Sequence, residues 1–113
     1  MLKKICLLFS ASIPIASCSV FTSHDVDIAN QSDGPITDIQ FAYADAVFSR
    51  SKLDPGEVFS FEANPDTDGG ISLSYVFRGE EIEHQLGYAT PMASMKCDIA
   101  VAGEGVLGGC EQA

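Results

Sequence analysis

Tryptophan is absent from this chain of 113 residues, and histidine occurs only twice. Without Trp there is no Cys…Trp…Cys core signature of a true immunoglobulin domain. The two histidines, His24 and His84, have no neighbouring Cys and do not form a metal-ligand spacing. Basic residues are scarce as well, 6 against 16 acidic ones, for a formal charge of −10. A field of that sign repels phosphate backbones and argues against nucleic acid as a partner. No apolar run approaches the roughly 20 residues that a membrane-spanning helix requires. No longer window carries a clean helical apolar period, so a long amphipathic helix is not expected. Gly-x-Ser-x-Gly, His-Glu-x-x-His and phosphate-loop patterns do not occur. With 16 carboxylates to choose from, any one pair is uninformative about acid–base hydrolysis. The expectation is a protein that is not an enzyme and has no cofactor.

What is present begins at the N-terminus. Met1-Leu2-Lys3-Lys4 is a positively charged start, and an apolar run from Ile5 to Ile15 follows it. This order matches a signal peptide, and the run is too short for a permanent membrane helix. Ile15-Ala16-Ser17-Cys18 then gives a branched apolar residue, two small residues and a cysteine. That tetrad resembles the lipobox of bacterial lipoproteins, and the resemblance covers residues 1–18. It implies cleavage before Cys18, a diacylglycerol on the Cys18 thiol and an acyl group on its amine. One acyl chain holds a protein to a bilayer only marginally, whereas two or more hold it stably. In the same class, Ser19 after the cysteine resembles the members passed to the outer membrane rather than those retained at the inner one. The expected organisation is signal peptide 1–17, lipidated Cys18 with a short tether to residue 25, and one folded domain over 26–113.

Loss of residues 1–17 would leave 96 residues and remove Lys3 and Lys4, so the mature charge becomes −12. Cys6 falls in the discarded segment. Cys97 and Cys110 are left, and two thiols in an oxidising compartment read as one disulfide. A metal or redox pair is the weaker alternative, because the spacing is not Cys-x-x-Cys and no His lies nearby. The bridge would close a short loop and contribute about 3 kcal/mol in the chain-entropy account.

Period-two alternation dominates the remainder. Val26 and Ile28 alternate with Asp25 and Asp27. Ile39, Phe41 and Tyr43 form a second set, and Phe59 and Phe61 a third. Ile71, Leu73, Tyr75 and Phe77 make the clearest case. Ile82, His84 and Leu86 follow, then Cys97, Ile99 and Val101, and Ala46 to Leu53 is a weaker strand. Turn sequences separate them: Ser32-Asp33-Gly34-Pro35, Asp54-Pro55-Gly56, residues 64–70 and Arg78-Gly79-Glu80. The fold class expected is all-β: a small antiparallel β-sandwich, Ig-like or Greek-key, of about seven strands. The aromatics Phe41, Tyr43, Phe59, Phe61, Tyr75 and Phe77 should dominate its core. The glycine-rich stretch from Gly103 to Gly109 reads as a tail after the last strand.

Chemistry candidates are few. Asn64, Asp66 and Asp68, followed by Gly69 and Ile71, resemble the front of an EF-hand calcium loop. Tyr75 stands where the bidentate Glu is needed, so an Asp/Gly-rich strand connection is the simpler reading. His24 reads as part of the tether, and His84 as a histidine at the edge of the core. Glu80, Glu81 and Glu83 read as a solvated strand face or a docking patch for a basic partner. Anchor, size and missing catalytic motifs together lead to one functional expectation. It is a non-catalytic protein-binding or accessory lipoprotein of the cell envelope, facing the periplasm at the outer membrane, with a protein partner and with the membrane reached through Cys18. The alternative is an exclusion or immunity-type lipoprotein that blocks a receptor or inhibits a basic envelope enzyme.

Overall fold

Alternating side chains build eight strands in the computed structural model, which describes residues 24–112. The expected signal segment, the lipobox-like residues and Cys18 lie outside the described residues. The strands are β1 (His24–Asn30), β2 (Ile36–Tyr43), β3 (Ala46–Leu53), β4 (Val58–Glu62), β5 (Gly69–Phe77), β6 (Glu80–Ala89), β7 (Met95–Ala102) and β8 (Gly105–Gln112). They form two four-stranded sheets, β4-β1-β7-β8 and β3-β2-β5-β6, packed as a sandwich.

Each connection reverses the chain, so odd-numbered strands run one way and even-numbered strands the other. Five of the six strand pairings are accordingly antiparallel. The sixth, β1 with β7, sets two odd strands side by side and is parallel. This departs from a purely antiparallel sandwich. The chain visits the second sheet in β2 and β3, returns on one side of β1 at β4, leaves again through β5 and β6, and comes back on the other side of β1 at β7. A parallel pair needs such a long excursion.

The buried core includes Val26, Ile28, Ile36, Ile39, Phe41, Tyr43, Leu53, Ala63, Ile71, Leu73, Tyr75, Ala89, Cys97 and Val101, with Phe77, Met95 and Ile99 nearly as buried. Phe59 and Phe61 are only partly buried, contrary to expectation. They sit on β4, an edge strand, where Phe61 stacks on Phe48 of the other sheet at 4.3 Å and closes that side of the sandwich.

Two bulges explain why strict alternation understates the core. Asp38 has φ 51° and interrupts the β2 register, so Ile36 and Ile39 both point inward although they are an odd three positions apart. The shift between Ile71 and Ser72 does the same on β6, carrying the inward face from Leu86 to Ala89. Arg78 and Gly79, both at positive φ, form the β5–β6 hairpin turn anticipated there.

The glycine-rich tail is a strand. β8 pairs with β7 along its whole length, and Cys97 lies opposite Cys110 in that ladder. The two are disulfide-bonded, with Cα atoms 4.0 Å apart. Gly108 has φ 83°, and a Cβ there would collide with the Asp98 carbonyl oxygen, so glycine at this point lets β8 close onto β7.

Candidate functional site

Chain direction sorts the loops into two ends. One end holds the start of β1, the turns 44–45, 63–68 and 90–94, and the end of β8. The opposite end, distal to where the chain enters, holds 31–35, 54–57, 78–79 and 103–104.

His24 belongs to the entry end, and it corrects the tether reading. It is the first residue of β1, is 1% exposed and pairs in register with Met95. Its Nδ1 lies 2.7 Å from the Tyr43 hydroxyl, while Nε2 is buried with no hydrogen-bond partner. Burial lowers the His24 pKa, opposed by the negative charges of Asp25 and Glu62. The same burial raises the Tyr43 phenol. Asp25 is also part of β1, so the folded region includes two residues that alternation had assigned to the tether.

The distal end is tied together by Asn30, a buried polar residue that the sequence reading did not single out. Its Nδ2 donates to the carbonyls of Gly34 (3.0 Å) and Leu53 (2.9 Å), and its Oδ1 accepts from the Ser32 amide (2.9 Å). The detectable signal was the turn sequence directly after it, since Asn capping its own turn is a recurrent device. The Ser32 hydroxyl donates to Val101 O and accepts from Gly103 N, and Tyr75 donates to Gly103 O at 2.8 Å. Arg78 pairs with Asp33 at 2.6 Å across the same end.

Asn64, Asp66 and Asp68 lie exposed in the β4–β5 connection. The Asp66 amide donates to Asp45 at 3.3 Å. Among the described residues no group of three or more His, Cys, Asp or Glu is arranged to hold a metal. His84 is half-buried at the edge of the core, its ring 6.1 Å from that of Tyr75 and its Nε2 3.1 Å from the Glu104 carbonyl. Glu80, Glu81 and Glu83 are exposed. Glu80 meets the Glu104 carboxyl, and that hydrogen bond, with the repulsion between the two, raises its pKa.

The outer face of the β4-β1-β7-β8 sheet has a marked surface pattern. Register places Val58, Ala29, Ala100 and Leu107 in one row across all four strands. The two alanines lie on the central strands, and Val58 (50% exposed) and Leu107 (62% exposed) stand on the edges. The result is a shallow depression of about 470 Å³. The next row toward the entry end is Ser60, Asp27, Asp98 and Gly109, and the one beyond it Glu62, Asp25, Lys96 and Glu111. Lys96 bridges Asp27 (3.0 Å) and Asp98 (3.7 Å). Hydrogen bonds from Ser60 and Lys96 hold Asp27 below the usual carboxylate range, and the bond to Asp27 raises Lys96.

No protein-family model, curated protein or solved structure matches this chain.

Proposed function

We propose that the protein is a lipid-anchored module of the bacterial cell envelope that works by binding another protein and performs no catalysis. The observation that carries this is the ordered N-terminal pattern: Lys3 and Lys4, the Ile5–Ile15 apolar run and Ile15-Ala16-Ser17-Cys18. Acyl chains on Cys18 would hold it to a bilayer, and Ser19 favours the outer membrane, periplasmic side. Because β1 takes up His24 and Asp25, only residues 19–23 separate the anchor from the sandwich. Five residues reach at most about 17 Å, so the entry end sits close to the lipid and the distal end faces away. A sandwich of this size, with a shallow surface depression and its histidines used in packing, suits contact recognition better than chemistry.

The acidity of the chain favours one specific version of this reading, an inhibitor or immunity-type lipoprotein directed at a basic envelope protein. Expression in a bacterial host, with and without globomycin, tests the anchor. Mass spectrometry should find a mature N-terminus at Cys18 carrying diacylglycerol and an amide-linked acyl chain, and globomycin should leave the precursor uncut. Cys18→Ser should leave the protein out of the membrane fraction. A mature N-terminus at another residue, or membrane recovery unaffected by Cys18→Ser, overturns the proposal.

A further inference from the structure

We infer that the outer face of the β4-β1-β7-β8 sheet is the docking surface, and that its occupant is a basic protein segment with an apolar side chain flanked by lysine or arginine. This rests on the binding role proposed above and assigns it a place and a partner chemistry.

A solvated outer sheet face alternates away from the core and is usually polar along its length. Here the row Val58–Ala29–Ala100–Leu107 is apolar from one edge of the sheet to the other. Its profile is large, small, small, large, so the centre is a dish rather than a ridge. Ala29 and Ala100 make the floor, and the exposed Val58 and Leu107 make the walls. The volume of about 470 Å³ exceeds that of a single side chain, which leaves room for an apolar residue and the stems of its neighbours.

Charge selects among occupants. The two rows beside the dish carry Asp25, Asp27, Glu62, Asp98 and Glu111 against Lys96 alone. Lys96 pairs with Asp27 and Asp98 and also feels the charge of Asp25, so among the described residues Glu62 and Glu111 have no ion pair on this face and the acidic charge is in excess. The outer face of the other sheet differs: Ser49, Gln40, Ser74 and Glu83 form one of its rows, and Val47, Ala42, Ser72 and Gln85 the next. A second copy of this chain would bring the same acidic face or another part of a strongly acidic molecule, and like charges oppose that contact. An anionic lipid surface is opposed for the same reason. A cationic segment is drawn in, its apolar side chain covering the alanines and its basic residues reaching the carboxylates on the entry side.

The position fits such a role. The dish lies at the distal ends of β1 and β7, away from the anchor, on backbone held by Asn30 at one end and the Cys97–Cys110 bridge on the neighbouring strand. A rigid surface loses little entropy when a partner binds.

The test uses the isotope-labelled full chain in zwitterionic detergent and three five-residue probes: alternating Lys and Leu, alternating Lys and Ser, and alternating Glu and Leu. The Lys–Leu probe should shift the amides of Ala29, Ala100 and Leu107 in nuclear magnetic resonance spectra. The Lys–Ser probe should bind about tenfold more weakly, because apolar burial is lost, and the Glu–Leu probe should not bind. Ala100→Arg, which fills the dish, and Asp98→Lys, which reverses a rim charge, should each weaken the Lys–Leu probe while leaving other amides in place. Shifts elsewhere, or equal binding of the Lys–Ser probe, overturn the inference. A photo-crosslinking phenylalanine analogue at Leu107, compared in cells with one at Ser49 or Ser74, separates it from the broader proposal. Crosslinks to a basic segment of an envelope protein from Leu107 alone support both. Crosslinks only from Ser49 or Ser74 reject this face but leave the binding role, and none from any position rejects the binding role itself.

Discussion

Two buried polar residues set the terms at the level of single side chains. His24 has its hydroxyl partner at one ring nitrogen only, and its burial disfavours the imidazolium. Its pKa is therefore lower folded than unfolded. The stability it leaves intact is complete above the unfolded value of 6.5 and declines as pH falls below it, toward the depressed folded value. Asp27 acts in a separate window, since its carboxylate is held below 3.8 and is lost only in stronger acid. Melting temperature should thus fall between pH 7 and pH 5, and His24→Gln should flatten that part of the profile. An unchanged slope in the variant would assign the acid sensitivity to other groups. Asn30 makes three hydrogen bonds from a fully buried side chain. Asn30→Ala strands the amide of Ser32 and the carbonyls of Gly34 and Leu53, the last of them buried, and urea unfolding should show a loss of about 2–3 kcal/mol. In the sequence His24 reads as part of a tether, and Asn30 is not singled out at all. A polar residue at the end of an alternating strand looks like a boundary, and only its distant partners, Tyr43 and Leu53, reveal that it is inside.

The elements that the sequence made legible are those with strict alternation. β5 shows it best: Ile71, Leu73, Tyr75 and Phe77 are all buried. β8 went unread because Gly105, Gly108 and Gly109 dilute its pattern, leaving Val106 and Cys110 as its inward side chains. What makes it a strand is its partner, since β7 supplies the whole ladder and a covalent tie. Replacing Cys97 and Cys110 together by Ala should cost about 3 kcal/mol, measured by denaturant unfolding. Hydrogen exchange should then rise first in β8, which has no other strand beside it in its sheet. Gly108→Ala should cost more than about 1 kcal/mol, because the new Cβ meets the Asp98 carbonyl and the positive φ is unfavourable for alanine. A neutral effect on melting temperature would show that β8 can shift away from β7 without loss.

For the molecule as a whole, the two ends of the sandwich differ. The entry end carries the buried His24 and the chain leading back to Cys18. The distal end is braced by Asn30, Ser32, Tyr75 and the Arg78–Asp33 pair. The face between them changes from acidic rows to an apolar row as it runs outward. On the proposed anchoring, this arrangement presents the recognition surface away from the lipid and sets the carboxylates between it and the membrane. A basic partner would be guided by long-range attraction and held by short-range burial, so its binding should weaken with salt while keeping its leucine dependence.

Composition and alternation alone determined the all-β class and the acidity, because both depend on residue type and local spacing; the Cys97–Cys110 pairing was legible once the N-terminal pattern had set Cys6 and Cys18 aside. The proposed lipobox likewise rests on a local pattern of residues. The parallel β1–β7 pair, the two bulges that restore Ile36 and Ala89 to the core, the burial of His24 and Asn30, and the eighth strand were decided by tertiary structure. So was the row Val58–Ala29–Ala100–Leu107. Its members lie far apart along the chain, and no single strand contains the pattern. It exists only once four strands lie in register, because a sheet face is defined across strands and a sequence runs along them.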